Sequence, residues 1–186
     1  AGNTAPTINQ VLLNSSPTIN NYTYENITVW INATDADADT INAYVRWFNQ
    51  SIEWPDSTDN RVTPMGDNVF TIADTINASS ITKNENWTAM IQIDDGEDNA
   101  TAFVNASLVV RNSPQNASGQ IINSSLLLNK SDEDLTFWIR LTDLDNESEF
   151  TVNYRWFTNG VEDTTIAGTV NLSLDVLTNI TLQSGN

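Results

Sequence analysis

The sequence contains no cysteine and no histidine, and only 7 of its 186 residues are lysine or arginine. Each absence removes a class of chemistry. Without cysteine there are no disulfides, no zinc–thiolate sites and no thiol nucleophile. Without histidine there is no Ser–His triad, and most transition-metal sites lose their usual ligand. The 7 basic side chains face 24 acidic ones, for a net charge of −17. That balance excludes nucleic acid as a partner, because too few cations exist to neutralise phosphates. No apolar run approaches the roughly 18 residues that a membrane-spanning helix needs. The opening AGNTAPT carries no signal-peptide core, so export would imply a leader already removed.

What the chain has in excess is asparagine, threonine and serine, at 26, 23 and 15 residues. Leu, Ile, Val and Phe still occupy 47 positions, enough for a folded core. The length suits one large or two small domains. The asparagines are not scattered at random. Asn-x-Ser/Thr, with x not proline, is the acceptor for N-glycosylation, and chance placement at this composition gives about five such tripeptides. The sequence has 15, beginning at Asn14, Asn21, Asn26, Asn32, Asn49, Asn77, Asn86, Asn99, Asn105, Asn116, Asn123, Asn129, Asn146, Asn171 and Asn179. The excess predicts N-linked glycans on an extracellular, cell-surface protein. The competing explanation is a compositional bias toward Asn and Thr without sugar. Strand facing favours glycans. In Asn26–Thr34, Ile27, Val29, Ile31 and Ala33 alternate with Asn26, Thr28, Trp30 and Asn32, the period of a half-buried strand. In Ala102–Val110 the apolar set shares one face, and Asn105 lies on the other.

The chain also repeats itself, with a period near 109 residues. Asn26–Phe48 reads NITVWINATDADADTINAYVRWF, and Asp134–Phe157 reads DLTFWIRLTDLDNESEFTVNYRWF. Trp30/Trp138, Asp35/Asp143, Asp37/Asp145, Arg46/Arg155 and Trp47/Trp156 are matched pairs. A repeat of this size is one domain per copy, expected at 1–111 and 112–186 with the boundary near Arg111-Asn-Ser-Pro114. Within copy one, short alternating segments predict strands near 8–13, 26–34, 43–48, 69–73, 87–93 and 102–110. Asp95-Gly96 and Asn159-Gly160 read as hairpin turns. No segment sustains a helical apolar period. The fold class is all-β: two tandem sandwiches of immunoglobulin type, each with a core tryptophan, Trp47 or Trp156, on its third strand. Trp30 and Trp138 point away from the core. They are shielded by neighbours or by the glycan at Asn32, or else anchor a protein contact.

The pattern Asn3-Thr-Ala-Pro-Thr7, Thr34-Asp-Ala-Asp-Ala-Asp39, Glu85-Asn-Trp-Thr88 and Ile93-Asp-Asp-Gly96 resembles the tandem immunoglobulin-like repeats of archaeal cell-surface glycoproteins, akin to polycystic-kidney and cadherin-like repeats. The likeness spans nearly all of copy one and two thirds of copy two. It implies extracellular structural spacers or adhesive stalks, not catalysis. Some members of the group pair two cysteines at places that here hold Val29 and Ala89.

Copy two stops before the counterpart of residues 86–111, two strands short of copy one. Either the chain is a piece of a longer one, or another subunit supplies strands, as in a head-to-tail homopolymer. The nearest donor in the sequence is Thr7–Leu13, which alternates Ile8, Gln10 and Leu12 against Thr7, Asn9 and Val11. The inward residues awaiting cover are Leu135, Phe137, Ile139, Leu141, Val152, Tyr154, Trp156, Val170, Leu172 and Leu174.

Two acidic loops remain. Asp35, Asp37 and Asp39 follow the second strand, and Asp94, Asp95, Glu97 and Asp98 occupy the last turn of copy one. In an immunoglobulin-type sandwich both lie at one pole. Clustered carboxylates suit Ca²⁺, with a lesser site at Asp143 and Asp145. The alternative is solvated turns. The expected function is structural: a heavily N-glycosylated subunit of a cell-surface filament or coat. The alternative is an adhesin, or a fragment of a surface stalk. An enzyme is not expected, since the acids cluster in turns rather than facing each other across a cleft.

Overall fold

The computed structural model describes residues 2–55, 62–98, 102–124, 133–145, 147, 149–173 and 177–182. It divides into two compact units, Ala1–Asn112 and Ser113–Asn186. The protein is all-β, a set of antiparallel sheets in a sandwich arrangement. Among the described residues the only helical segment is a single 3₁₀ turn, Ala78–Ser80, and no helix is long and apolar enough to cross a membrane.

The first unit holds β1 (Thr7–Ser16), β2 (Asn26–Thr34), β3 (Ile41–Asn49), β4 (Ile52–Glu53), β5 (Val62–Met65), β6 (Thr71–Ile76), β7 (Asn86–Asp94) and β8 (Val104–Val109). One sheet runs β1-β2-β6; the other runs β4-β3-β7-β8, with β5 also on β3. Period-two alternation makes the core. Ile27, Val29, Ile31 and Ala33 of β2 and Ile41, Ala43, Val45 and Trp47 of β3 are all buried, and so are Trp87, Ala89, Ile91 and Ile93 of β7. The polar residues between them face out. Val29 and Ala89 both sit within this core, fully buried.

Two tryptophans centre the core. Trp47 and Trp87 meet edge to face at 6.4 Å, and Trp54 caps Trp87 at 5.1 Å. Buried indoles need a partner for their N–H. Trp47 Nε1 donates to Asp74 Oδ2 at 2.8 Å, and Trp87 Nε1 donates to Glu85 Oε2 at 2.9 Å. The register between β2 and β6 shifts between Val29 and Trp30. This bulge leaves Ala73 and Asp74 both buried, and so re-aims Asp74 at Trp47.

A second register shift corrects the facing expected for β1. The shift lies between Ile8 and Gln10, so Asn9 is the extra residue. Beyond it the facing flips: Ile8, Val11 and Leu13 pack on the core, while Gln10, Leu12 and Asn14 stand on the outer face. β1 is paired to β2 along its length, from Thr7↔Thr34 to Ser16↔Asn26.

The second unit holds β9 (Asn116–Ser124), β10 (Leu135–Thr142), β11 (Glu149–Thr158), β12 (Val161–Ser173) and β13 (Leu177–Leu182). One sheet runs β13-β10-β9, and β11 and β12 form a hairpin. Asn159 and Gly160, at φ 50° and 81°, make its turn. Asp95-Gly96 behaves differently. It opens the connection 95–103 rather than a two-residue turn, with Asp95 Oδ1 accepting the N–H groups of Glu97 and Asp98.

A buried glutamate, overlooked by pattern reasoning, ties the β1–β2 connection. The Glu25 carboxylate accepts Ser15 Oγ at 2.6 Å, Thr18 N at 2.8 Å and Tyr22 N at 3.0 Å, and the Thr18 hydroxyl as well. Burial alone would raise its pKa, but these hydrogen bonds outweigh it and hold the value at about 2 against an ordinary 4.5. Glu133 and Ser124 occupy the matching places in the second unit and are also buried. A depressed carboxylate stabilises the fold above its unfolded pKa, and that stability is lost as pH falls through the folded value. Between pH 4.5 and 2 the Glu25 contribution amounts to about 3 kcal/mol. Denaturant titrations of the native chain and Glu25→Gln should therefore differ at pH 7 and converge near pH 2. Parallel stability–pH curves would show that the cluster contributes nothing.

Candidate functional site

The acceptor asparagines are the most numerous candidates. Asn99, Asn129 and Asn146 lie outside the described residues, and the side chains of Asn171 and Asn179 are likewise outside the description. None of the other ten is buried. Asn26, Asn77, Asn86, Asn105 and Asn116 are exposed, and Asn14, Asn21, Asn32, Asn49 and Asn123 are half-buried. Side-chain donation occurs at some asparagines outside the sequons. Asn3, Asn9, Asn20 and Asn42, none in a sequon, each donate through Nδ2. Among the described residues no sequon asparagine does. Where one is engaged, its oxygen accepts: Asn26 Oδ1 from Ala78 N, and Asn32 Oδ1 from Asn9 Nδ2, both at 2.9 Å. The nitrogen that would carry a sugar is left free.

The acidic loops divide into two kinds. Asp35, Asp37 and Asp39 have carboxylate oxygens that all lie within 4.8 Å of one another. Asp35 Oδ1 accepts the N–H groups of Asp37 and Asp39, but its buried Oδ2 has no hydrogen-bond partner, with the residue 7% exposed. Asp37 Oδ2 accepts Thr4 N at 2.8 Å, tying the leader of β1 to the loop. The second unit repeats this wiring: Asp143 Oδ1 accepts Asp145 N, Asp145 Oδ2 accepts Ser113 N, and Asp143 Oδ2 is again buried and unpartnered. Asp94, Asp95 and Asp98 are instead used by their own surroundings. Asp94 Oδ1 accepts Gly96 N at 2.9 Å, and Asn3 Nδ2 reaches Asp95 and Asp98 at 2.9 and 3.2 Å. The Asp98 N–H and the Asn3 amide hold the Asp95 carboxyl below the ordinary range.

The third candidate is a gap. β3 pairs with β4 and β5 along one edge and with β7 along the other. β11, its counterpart, pairs among the described residues with β12 only. The repeat identifies which edge is filled, since Phe48↔Glu53 matches Phe157↔Glu162. Arg46–Glu53 at 2.7 Å likewise matches Arg155–Glu162 at 3.7 Å. The edge that β7 takes on β3 has no described strand on β11. The core beneath it is thin. Ile139, Leu141 and Phe150 are buried with Phe137 and Val152 against them, whereas Leu135 is 39% exposed and Trp156 only half-buried. The side chains of Val170, Leu172 and Leu174 lie outside the description. A groove of about 370 Å³ opens there, lined by Ile122, Phe137, Ile139, Val152, Tyr154 and Trp156 among others.

Trp30 and Trp138 are half-buried on the outer faces of their sheets, as alternation requires. Compared with known proteins, the chain matches no family model, no curated protein and no solved structure.

The groove has a direct physical consequence. An environment-sensitive hydrophobic dye should bind chain 1–186 there, and Val152→Lys, on its wall, should remove most of the fluorescence gain. An unchanged signal in Val152→Lys would place the dye elsewhere.

Proposed function

We propose that this chain is an extracellular, N-glycosylated structural protein, built of tandem immunoglobulin-like sandwiches and serving as a subunit of a cell-surface filament or coat. One observation carries the reading: the 15 sequons exceed chance threefold, and every acceptor asparagine whose side chain is described is exposed or half-buried. Composition agrees. A net charge of −17 suits a hydrated surface and resists nonspecific association. Assembly draws on the groove of the second unit. A filament forms when strands from outside residues 113–186 add to the open edge of β11. The β1 strand of a neighbouring copy is not the donor, because β2 already pairs it. The added segment follows the pattern of β7, small or aliphatic where it faces Trp156, Tyr154 and Val152. Intact-glycopeptide mass spectrometry of native material, with electron microscopy of the same fraction, tests both parts. Glycans on most exposed sequons, Asn105 among them, together with a regular polymer, are expected. Bare Asn26, Asn32 and Asn105 would sink the glycan reading, and a dispersed monomer would sink the assembly.

The loop of Asp35, Asp37 and Asp39 supports a second, smaller proposal: a Ca²⁺ ion. Its oxygens are hard donors, and the buried Oδ2 of Asp35 has no hydrogen-bond partner among the described residues. Asp94, Asp95 and Asp98 are less suited, since the turn and Asn3 use their oxygens. Asp143 and Asp145 provide a weaker version with two carboxylates. A bound ion stabilises the folded state by mass action. The melting temperature should rise in millimolar calcium, fall with chelator, and become indifferent to both in Asp35→Asn. Equal midpoints in all three conditions for the native chain would leave only a hydrogen-bonded turn.

A further inference from the structure

The outer sheet faces carry an apolar row that alternation alone does not explain. Trp30 is opposite Leu12 on β1 and Ile72 on β6, which are 41% and 45% exposed. Trp138 is opposite Ile121 on β9, 48% exposed, in the corresponding place. Directly opposed residues on antiparallel strands have Cβ atoms about 5 Å apart, so each row is a continuous surface. A half-buried tryptophan with exposed aliphatic neighbours, two in the first unit and one in the second, leaves apolar surface open to a cover.

The same faces carry acceptors beside each tryptophan. Asn32 follows Trp30 by two residues along β2, on the same side, and Asn14 is diagonal to it through the Asn14↔Thr28 pair. In the second unit Asn123 takes the place of Asn14 through Asn123↔Thr136, and position 179 stands opposite Trp138. Diagonal neighbours lie about 7–8 Å apart and residues two apart on one strand nearly as close, within reach of a first sugar. The second acceptor reaches the tryptophan by different routes, along the strand in one unit and across it in the other. Bracketing is thus met twice by different positions.

We infer that Trp30 and Trp138 are stacking platforms for the protein's own N-glycans: the apolar face of the first sugar lies on the indole, and the row Leu12–Trp30–Ile72 is covered from Asn14 and Asn32. This rests on the glycan reading above. The row is therefore a packed protein–sugar surface, not the ligand site of an adhesin. It locks the glycans against the sheet and stiffens the subunit.

The test uses glycosylated native chain, enzymatically deglycosylated chain, and the pair Trp30→Ala and Trp30→Leu. Deglycosylation should lower the melting temperature of the native chain by about 4 °C or more, and that of Trp30→Leu, which keeps apolar bulk without the ring, by less than half as much. In the native glycoprotein, NMR should show protons of the sugars on Asn14 and Asn32 shifted upfield by the Trp30 ring, a shift lost in both variants while that at Trp138 remains. Equal losses on deglycosylation, or no shifted sugar protons, with Asn14 and Asn32 occupied, would overturn the stacking alone. Unoccupied Asn14 and Asn32, with Asn26 and Asn105 glycosylated, would overturn this inference alone; bare Asn26 and Asn105 as well would overturn both readings. A saturable foreign sugar bound at Trp30 in the glycosylated chain would show the platform to be free, and would also overturn this inference.

Discussion

A β-sandwich depends on one constraint: both inner faces must be covered, and edge strands must be kept from further pairing. Strand alternation creates the apolar faces, but nothing in a single strand covers them. In the first unit the inner faces of the described strands meet in one core. β7 lies between β3 and β8, and its Trp87, Ala89, Ile91 and Ile93 fill the space against β2 and β3. The two indoles then supply bulk at the centre, with their N–H groups satisfied by Asp74 and Glu85. Among the described residues the second unit shows less cover. Its β11 repeats the Arg-Trp-Phe end of β3, yet Trp156 lines a groove and is half-buried where Trp47 is buried. The counterpart of β7, whose Ala89 lies opposite Trp47, is not among the described strands beside Trp156.

The outer faces obey the complementary rule. A chain with this acidity and so few cations relies on water and backbone N–H groups to solvate its carboxylates. The acidic loops show how much backbone can do. In each repeat one aspartate organises the loop through its Oδ1, and the next holds the leader of the first strand. This wiring explains why an Asp-x-Asp pair recurs without requiring a metal for every carboxylate. The one oxygen it leaves over, on Asp35 and on Asp143, is where a cation would add something.

The sugar acceptors and the outward tryptophans belong to the same surface. Sequons placed on the outer face cannot disturb the core, because alternation separates the two sides of every strand. On the proposed reading, sugars beside Trp30 and Trp138 would also offer those rings a partner, while assembly would use the edge of β11.

Much of this is legible in the order of the residues. Period-two alternation in Asn26–Thr34 and Ile41–Phe48 establishes the strands and their inner faces, because side-chain direction on a strand is local. The internal repeat reveals the short second copy, and the sequons are themselves a local pattern. Other features are not legible there. The bulge at Asn9 reverses the facing of Val11, Leu12 and Leu13, and a bulge depends on how the partner strand registers. Glu25 has the pattern of an ordinary loop acid, and only the fold brings Ser15, Thr18 and Tyr22 together on it. The division of the acidic pole into an orphaned Asp35 and a satisfied Asp95 requires the leader residues Asn3 and Thr4 to be placed beside the loops. The sequence alone determined what each strand would bury, since that follows from alternation within a few residues. Tertiary structure alone decided which edges, oxygens and rings were left uncovered, because cover comes from residues that are distant in the chain.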